Sequence, residues 1–129
     1  AATLSALDHA NALLTIHQHG RRMAEFHERY DIVLSPTLGE VPVPLGPQRM
    51  SNPDLDAYTA ALMRFTPFCN FFNMSGTPSM SVPLNWSTDG LPVGTMFSAA
   101  FGREDLLLRL AGQLEQARPW FDRVPAEPG

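Results

Sequence analysis

Ser79-Met-Ser-Val-Pro-Leu84, Asn85-Trp-Ser-Thr-Asp-Gly90 and Leu91-Pro-Val-Gly-Thr-Met-Phe-Ser-Ala99 follow one another without a break. The first stretch alternates small polar and apolar residues, the period of a strand with one face on a core. The third is a second strand-like run. Between them, Asp89-Gly90 is a strong turn signal, because Gly accepts the positive φ that a tight reversal needs. The three together read as a hairpin or as two neighbouring strands.

Working towards the C-terminus, Glu104 to Ala117 reads as a helix. Leu106, Leu107, Leu110, Leu114 and Ala117 recur at helical spacing and form its apolar face. Pro119 ends it, Trp120-Phe121 are expected to staple the tail down, and Pro125 to Gly129 to fray.

Working towards the N-terminus, Thr66-Pro67 reads as an N-cap followed by Pro at the first helical position, opening a helix from Phe68 to Met74 or Ser75. Gly76 suits the left-handed cap that closes it. Pro53-Asp54 to Arg64 reads as another helix, with acids in its first turn where the helix dipole favours them. Thr37 to Asn52 holds Pro42, Pro44, Pro47, Gly39 and Gly46 and reads as a long irregular loop, a length that tends to accompany function. Asp31-Ile-Val-Leu-Ser-Pro36 is short, apolar and β-branched, and reads as a buried strand stopped by its proline. From about Thr3 to Tyr30 the chain carries no Pro and only Gly20. Leu13, Ile16, Gly20, Met23, Phe26 and Tyr30 trace the more apolar of two helical stripes, the one expected to face a core.

The order is helix, strand, long loop, two helices, two strands, helix, which is an α/β or α+β arrangement. Three strands make a thin sheet, and an edge lacking its partner would account for an excess of apolar residues. The chain has 129 residues, about one small domain's worth. Charged residues make up 17%, against a usual figure of about 25%. A small domain has much surface per volume and needs polar groups to cover it. Sparse charge therefore suggests surface buried against something, unless uncharged polar residues do the covering.

The net charge of −4 leaves no basic patch for phosphates, so nucleic acid is not an expected partner. No apolar run reaches the roughly 20 residues that span a bilayer, and no leader opens the chain, so no membrane is expected and the expected compartment is the cytoplasm. Cys69 is the single cysteine and has no internal disulfide partner. All nine basic residues are Arg, so a mechanism that needs a lysine base cannot be carried by this chain.

The polar residues divide by what surrounds them. His9, His17, His19 and His27 fall on the first helix at gaps of eight, two and eight, which do not bring the rings together for a metal. No metal and no cofactor are therefore expected. Cys69 sits one turn into its helix, where a thiol can be activated, but a buried inert cysteine is the plainer reading. No residue near it serves as a base, which disfavours a thiol enzyme. Phe65, Phe68, Phe71, Phe72 and Met74 read first as core and second as an apolar wall beside a ligand. Ser79 and Ser81 read as structural.

A series of short motifs carries a family resemblance. Asp31-Ile-Val-Leu-Ser-Pro-Thr37 resembles the Asp-hydrophobic-Pro-Thr strand end of the amidase-signature family. Asn73-Met-Ser-Gly-Thr-Pro-Ser-Met-Ser-Val-Pro83 resembles its Asn-x-x-Gly-x-Pro-x-x-Ser-x-Pro block. Gly90-Leu-Pro-Val-Gly94, followed by Glu104-x-x-Leu-Leu108 and Glu115-x-x-x-Pro-Trp120, resembles its closing pattern. Each piece is weak alone, but in this order they cover about 90 residues, and the long helix before Tyr30 also suits the family layout.

The resemblance implies an α/β fold, a mixed β-sheet covered by helices, of which residues 1–129 would be the C-terminal part of a single domain whose N-terminal catalytic part is absent. It implies hydrolysis of linear amides by a Ser–cis-Ser–Lys set, in which a neutral lysine takes a proton through the bridging serine and activates the nucleophile. None of that set is present: there is no Lys, no Gly-Gly-Ser-Ser-Gly stretch and no pair of adjacent serines. The expected partners are the N-terminal part of the same enzyme and a small-molecule amide, with a homodimer left open.

Thr66, Cys69 and Asn70 are the residues expected to line the substrate. In family members that take glutamine, the position matching Thr66 carries an acid that grips the substrate's amino group. Thr66 cannot pair with a cation in that way, which points to a less charged amide. Against this stand structural readings: Thr66 as a cap, Cys69 as core and Asn70 turned from the pocket. A self-standing non-catalytic α/β binding module derived from the family is the rival to the whole reading.

Overall fold

The structure, a computed structural model, describes residues 3–46 and 48–124. Its elements are α1 (Ala6–His27), β1 (Ile32–Pro36), α2 (Leu55–Phe65), α3 (Cys69–Ser75), β2 (Ser79–Trp86), β3 (Pro92–Ala99) and α4 (Glu104–Ala117). The order expected from sequence is the order observed. Pro47 and Pro125 to Gly129 lie outside the described residues, and so does the expectation that the tail frays.

β2 and β3 form the hairpin. Gly90 takes φ +76° in the turn, and the Ser87 amide donates to the Leu91 carbonyl at 2.8 Å. The three strands form one antiparallel sheet in the order β1-β3-β2. The hydrophobic run of β3 therefore lies in the middle, flanked on both sides.

Partners across the ladder set the two faces. Ile32 pairs with Ala99, Leu34 with Phe97 and Val82 with Thr95, so these residues share one face. On it, Val82, Phe97 and Ala99 are buried together with Leu107 of α4, and Leu106, Leu110, Leu114 and Trp120 pack around them. The leucine face of α4 thus does what its spacing predicts. Of the expected staple only Trp120 contributes, since Phe121 is 82% exposed.

Val33, Ser35, Met96 and Ser98 share the other face. α3 and α1 lie on that side, and Phe72 is the α3 residue that becomes buried. α1 is capped by a reciprocal box: the Asp8 amide donates to the Ser5 hydroxyl while the Ser5 amide donates to the Asp8 carboxylate. Its apolar stripe does not reach a core as expected. No residue of α1 is buried, and Leu13, Phe26 and Tyr30 are exposed, because α1 rests on the short α3 and the sheet offers it no further cover.

One capping assignment differs. Thr66 closes α2, its amide donating to the Leu62 carbonyl at 2.8 Å and its hydroxyl to the same oxygen at 3.0 Å. α3 starts instead from Phe68 without a side-chain cap. Gly76 takes φ +71° as the left-handed cap, as its place after Ser75 predicts.

Candidate functional site

β1 runs into the long loop at Thr37, and three separate stretches meet there. The Thr37 hydroxyl lies 2.6 Å from that of Ser81 on β2. Both stand over Gly94 of β3, where a Cβ would come within 2.7 Å of each oxygen. Gly94 is thus glycine because two hydroxyls occupy the space its side chain would need. Gly39 and Glu40 then dock on the turn between α2 and α3. The Gly39 amide donates to the Phe65 carbonyl at 2.9 Å, and a Cβ on Gly39 would overlap the Arg64 carbonyl oxygen. Arg64 Nε reaches Glu40 Oε1 at 2.6 Å, closing the contact from the solvent side.

Thr66, Cys69 and Asn70 flank this junction to different degrees. The Cys69 thiol donates to the Thr37 carbonyl at 3.4 Å, which places the α3 N-terminus directly on the strand end. Thr66 belongs to the same turn, one residue beyond the Phe65 carbonyl that holds Gly39, but its hydroxyl is spent on Leu62. The Asn70 amide turns back to Met63 Sδ at 3.4 Å. Cys69 is only partly buried, and its single polar contact is a carbonyl oxygen, not a base.

A second feature lies on the same face of the sheet. A cavity of about 440 Å³ opens between α1, α3 and β1, walled by Met23, Phe26, Val33, Phe68 and Phe71. None of Thr66, Cys69 and Asn70 lines it. His19 stands at its margin with Nε2 2.8 Å from the Phe71 carbonyl, and the Ser35 hydroxyl is buried at its floor with no hydrogen-bond partner. Of the phenylalanine cluster, Phe72 is core, Phe68 and Phe71 are cavity wall, and Phe65 instead faces the loop that carries Pro42 and Leu45. Among the described residues no three His, Cys, Asp or Glu side chains come together as a metal cluster.

No local pattern in the sequence marks Thr37, Ser81 and Gly94 as a group, and Ser81 reads there as structural. The signal was available in another form. Thr37 ends the first motif, Ser81 lies inside the second and Gly94 ends the core of the third. Separate motifs that fix a hydroxyl, a hydroxyl and a glycine are explained once the fold brings those three positions to one point.

Comparison with known proteins identifies the family and the fold. A family model described as Amidase matches residues 2–108. The 6-aminohexanoate-cyclic-dimer hydrolase of Pseudomonas sp. (strain NK87) is 40% identical over 101 residues, which are 74% of this chain and 20% of that protein. A solved structure of 6-aminohexanoate cyclic dimer hydrolase superposes with a TM-score of 0.85 at 31% identity, covering 96% of this chain and 27% of that one. A bacterial aryl acylamidase of the amidase signature enzymes superposes with a TM-score of 0.69 at 26% identity, covering 92% of this chain and 24% of that one. The chain spans about a fifth of the length of the curated relatives it matches.

Proposed function

The chain belongs to the amidase family, and we propose that it is the C-terminal scaffold and substrate-pocket segment of an enzyme that hydrolyses carbon–nitrogen amide bonds. The observation that carries this reading is the convergence of Thr37, Ser81 and Gly94 beside the α2–α3 turn, in a chain that has no lysine. The convergence supports a role for this chain as one wall of a site, and the absence of lysine from its sequence is consistent with a lysine base supplied by another part of the enzyme.

In this reading the catalytic Ser–cis-Ser–Lys set lies outside the chain. A neutral lysine accepts a proton relayed by the bridging serine, and the nucleophilic serine attacks the amide carbonyl. The C–N bond breaks as the amine leaves with that proton, and water then hydrolyses the acyl-serine. Thr66, Cys69 and Asn70 line the substrate at the α2–α3 turn. Thr66 offers no negative charge, so the preferred substrate is a small neutral amide without a cationic α-amino group. The enzyme is read as cytoplasmic. Among the described residues no helix is long and apolar enough to cross a membrane.

The distribution of apolar surface favours a part of a larger body over a self-standing module. Among the described residues twenty large hydrophobics are exposed, whereas the buried hydrophobic core holds six residues. The deciding experiment is to express the source gene whole, weigh its product and assay it on a neutral alkyl or aryl amide beside glutamine. A product much heavier than this chain that cleaves the neutral amide in preference to glutamine is the expected result. A product no heavier than this chain, or one inert towards amides, would overturn the reading.

A further inference from the structure

Thr37 directs each of its three polar groups to a different element. Its amide donates to the Gly94 carbonyl of β3 at 3.1 Å. Its hydroxyl lies 2.6 Å from that of Ser81 on β2. Its carbonyl accepts the thiol of Cys69, the first residue of α3, at 3.4 Å. One residue thus joins the middle strand, the far edge strand and the start of a helix.

The bond to Cys69 matters because α3 has little of its own to fix where it begins. The helix is seven residues long, its N-cap Phe68 makes no side-chain hydrogen bond, and its first turn holds no acid to suit the dipole. A helix this short is not stable by itself and takes its place from what it packs on. Its N-terminal end is located by the chain that leaves β1. Thr37 holds it through Cys69, and Gly39 holds the preceding turn through the Phe65 carbonyl at 2.9 Å. The Pro67 ring fits against Gly39 as well, 3.1 Å from where a Cβ would stand.

Thr37 is itself held at two points. It stands just past the last residue of β1, where the ladder no longer fixes it on both sides. The amide bond to Gly94 is one tie, and the hydroxyl bond to Ser81, reaching across the bare backbone of Gly94, is the other. Ser81 belongs to β2, paired with Met96 in the ladder. Among the described residues its side chain makes no hydrogen bond to Thr66, Cys69 or Asn70, so any influence it has on them passes through Thr37.

We propose that Ser81 is a positioning residue for the substrate wall: by holding the Thr37 hydroxyl it holds the Thr37 carbonyl, and through that carbonyl Cys69 and the start of α3. This rests on the reading that Thr66, Cys69 and Asn70 line the substrate of a longer amidase. Ser81 acts at two removes from the substrate, and in that reading the catalytic set lies outside the chain. Loss of its hydroxyl therefore weakens binding and leaves the chemical step alone, a change that appears in KM and not in kcat. Both hydroxyls are exposed in this chain, so the tie contributes no more than one neutral hydrogen bond.

The test uses the source gene's product expressed whole, with hexanamide and benzamide as neutral amides. Ser81→Ala is expected to raise KM by about two- to tenfold, the factor one neutral hydrogen bond supplies, with kcat within about twofold of the parent. Alkylation of Cys69 by iodoacetamide, followed by peptide mapping well below the unfolding temperature, should speed up by a similar factor. A serine that only stabilises the fold would lower the unfolding midpoint and move neither readout. Thr37→Val removes the same tie from its other end, so the double variant should show no more than the larger single effect. Thr37→Ser keeps the hydroxyl and should leave both readouts at the parent's values. An active product in which Ser81→Ala changes neither KM nor Cys69 alkylation overturns the inference and leaves the functional reading standing. A loss confined to kcat, or additive losses in the double variant, does the same. If Ser81→Ala does not fold, the two Thr37 variants decide, and equal KM in Thr37→Val and Thr37→Ser overturns the inference. A product inert towards both amides overturns the functional reading and this inference with it.

Discussion

The hydroxyls of Thr37 and Ser81 stand 2.6 Å apart over the backbone of Gly94, so that the end of one edge strand is tied to the other edge strand across the middle one. Such a bond across a strand is available only where the intervening residue has no side chain. Gly94→Ala would bring a methyl group within 2.7 Å of both oxygens. It is expected to destabilise the chain by about 1–3 kcal/mol, the usual cost of overpacking. Urea unfolding measures this. In the double variant with Ser81→Ala the two losses should be less than additive, since one of the two obstructing oxygens is gone. A neutral Gly94→Ala would show that the hydroxyl pair moves aside freely.

The docking of the loop on the α2–α3 turn rests on backbone, not on charge. Glu40 and Arg64 pair at 2.6 Å, but the Arg64 side chain is 72% exposed, and exposed pairs contribute under about 1 kcal/mol. Glu40→Gln is therefore expected to change stability little, and its effect should shrink further with added salt. Gly39→Ala sets a methyl group on the Arg64 carbonyl and should cost about 1–3 kcal/mol. Thermal unfolding of the two variants at low and high salt separates the contributions. A larger loss from Glu40→Gln than from Gly39→Ala would reverse this assignment.

What was legible in the sequence follows how local each signal is. The hairpin turn at Asp89-Gly90, the leucine face of α4 and the Gly76 cap depend on neighbours within a few residues, and each is found where it was expected. Thr66 shows the limit of such reasoning. A threonine before a proline suits an N-cap, yet α2 continues far enough for the same hydroxyl to reach the carbonyl four residues back. The stripe on α1 failed for a different reason. Its periodicity is sound, but periodicity states which face is apolar and not whether anything covers it, and α3 is too short to do so. The meeting of Thr37, Ser81 and Gly94 depends on strand order β1-β3-β2 and on register, neither of which is written in any local pattern.

The core lies between α4 and the β2–β3 hairpin, so adjacent leucines of α4 should respond in opposite ways. Leu107 is 4% exposed and packs with Val82, Phe97 and Ala99, whereas Leu108 is 72% exposed. Leu107→Ala is expected to cost about 2–5 kcal/mol from lost burial and the cavity left behind. That is a large share of the stability of any domain this size. Leu108→Ala should lie within about 0.5 kcal/mol of the parent. Urea midpoints of the two variants decide it. A substantial loss from Leu108→Ala would mean that the exposed side of α4 is covered in solution.

The cap of α1 ties its stability to pH through one carboxylate. The Asp8 carboxyl is held below its ordinary value of 3.8, chiefly by the Ser5 hydroxyl donating to Oδ2 at 2.7 Å and then by the Ser5 amide donating to the same oxygen at 2.8 Å. Both bonds exist only in the capped helix, so the folded state binds this proton less readily than the unfolded chain does. The stabilisation is therefore present above 3.8 and is lost as pH falls through the lower, folded value. A carbon-detected titration of the Asp8 carboxyl should give a midpoint below 3.8 in the parent. Ser5→Ala removes the hydroxyl while leaving the backbone donor, and should move the midpoint part of the way back. Asp8→Asn should in turn remove the acid-dependent loss of α1 helicity expected of the parent. If Ser5→Ala leaves the Asp8 titration where it was, the hydroxyl is not what holds the carboxylate, and the reciprocal cap does not control how α1 begins.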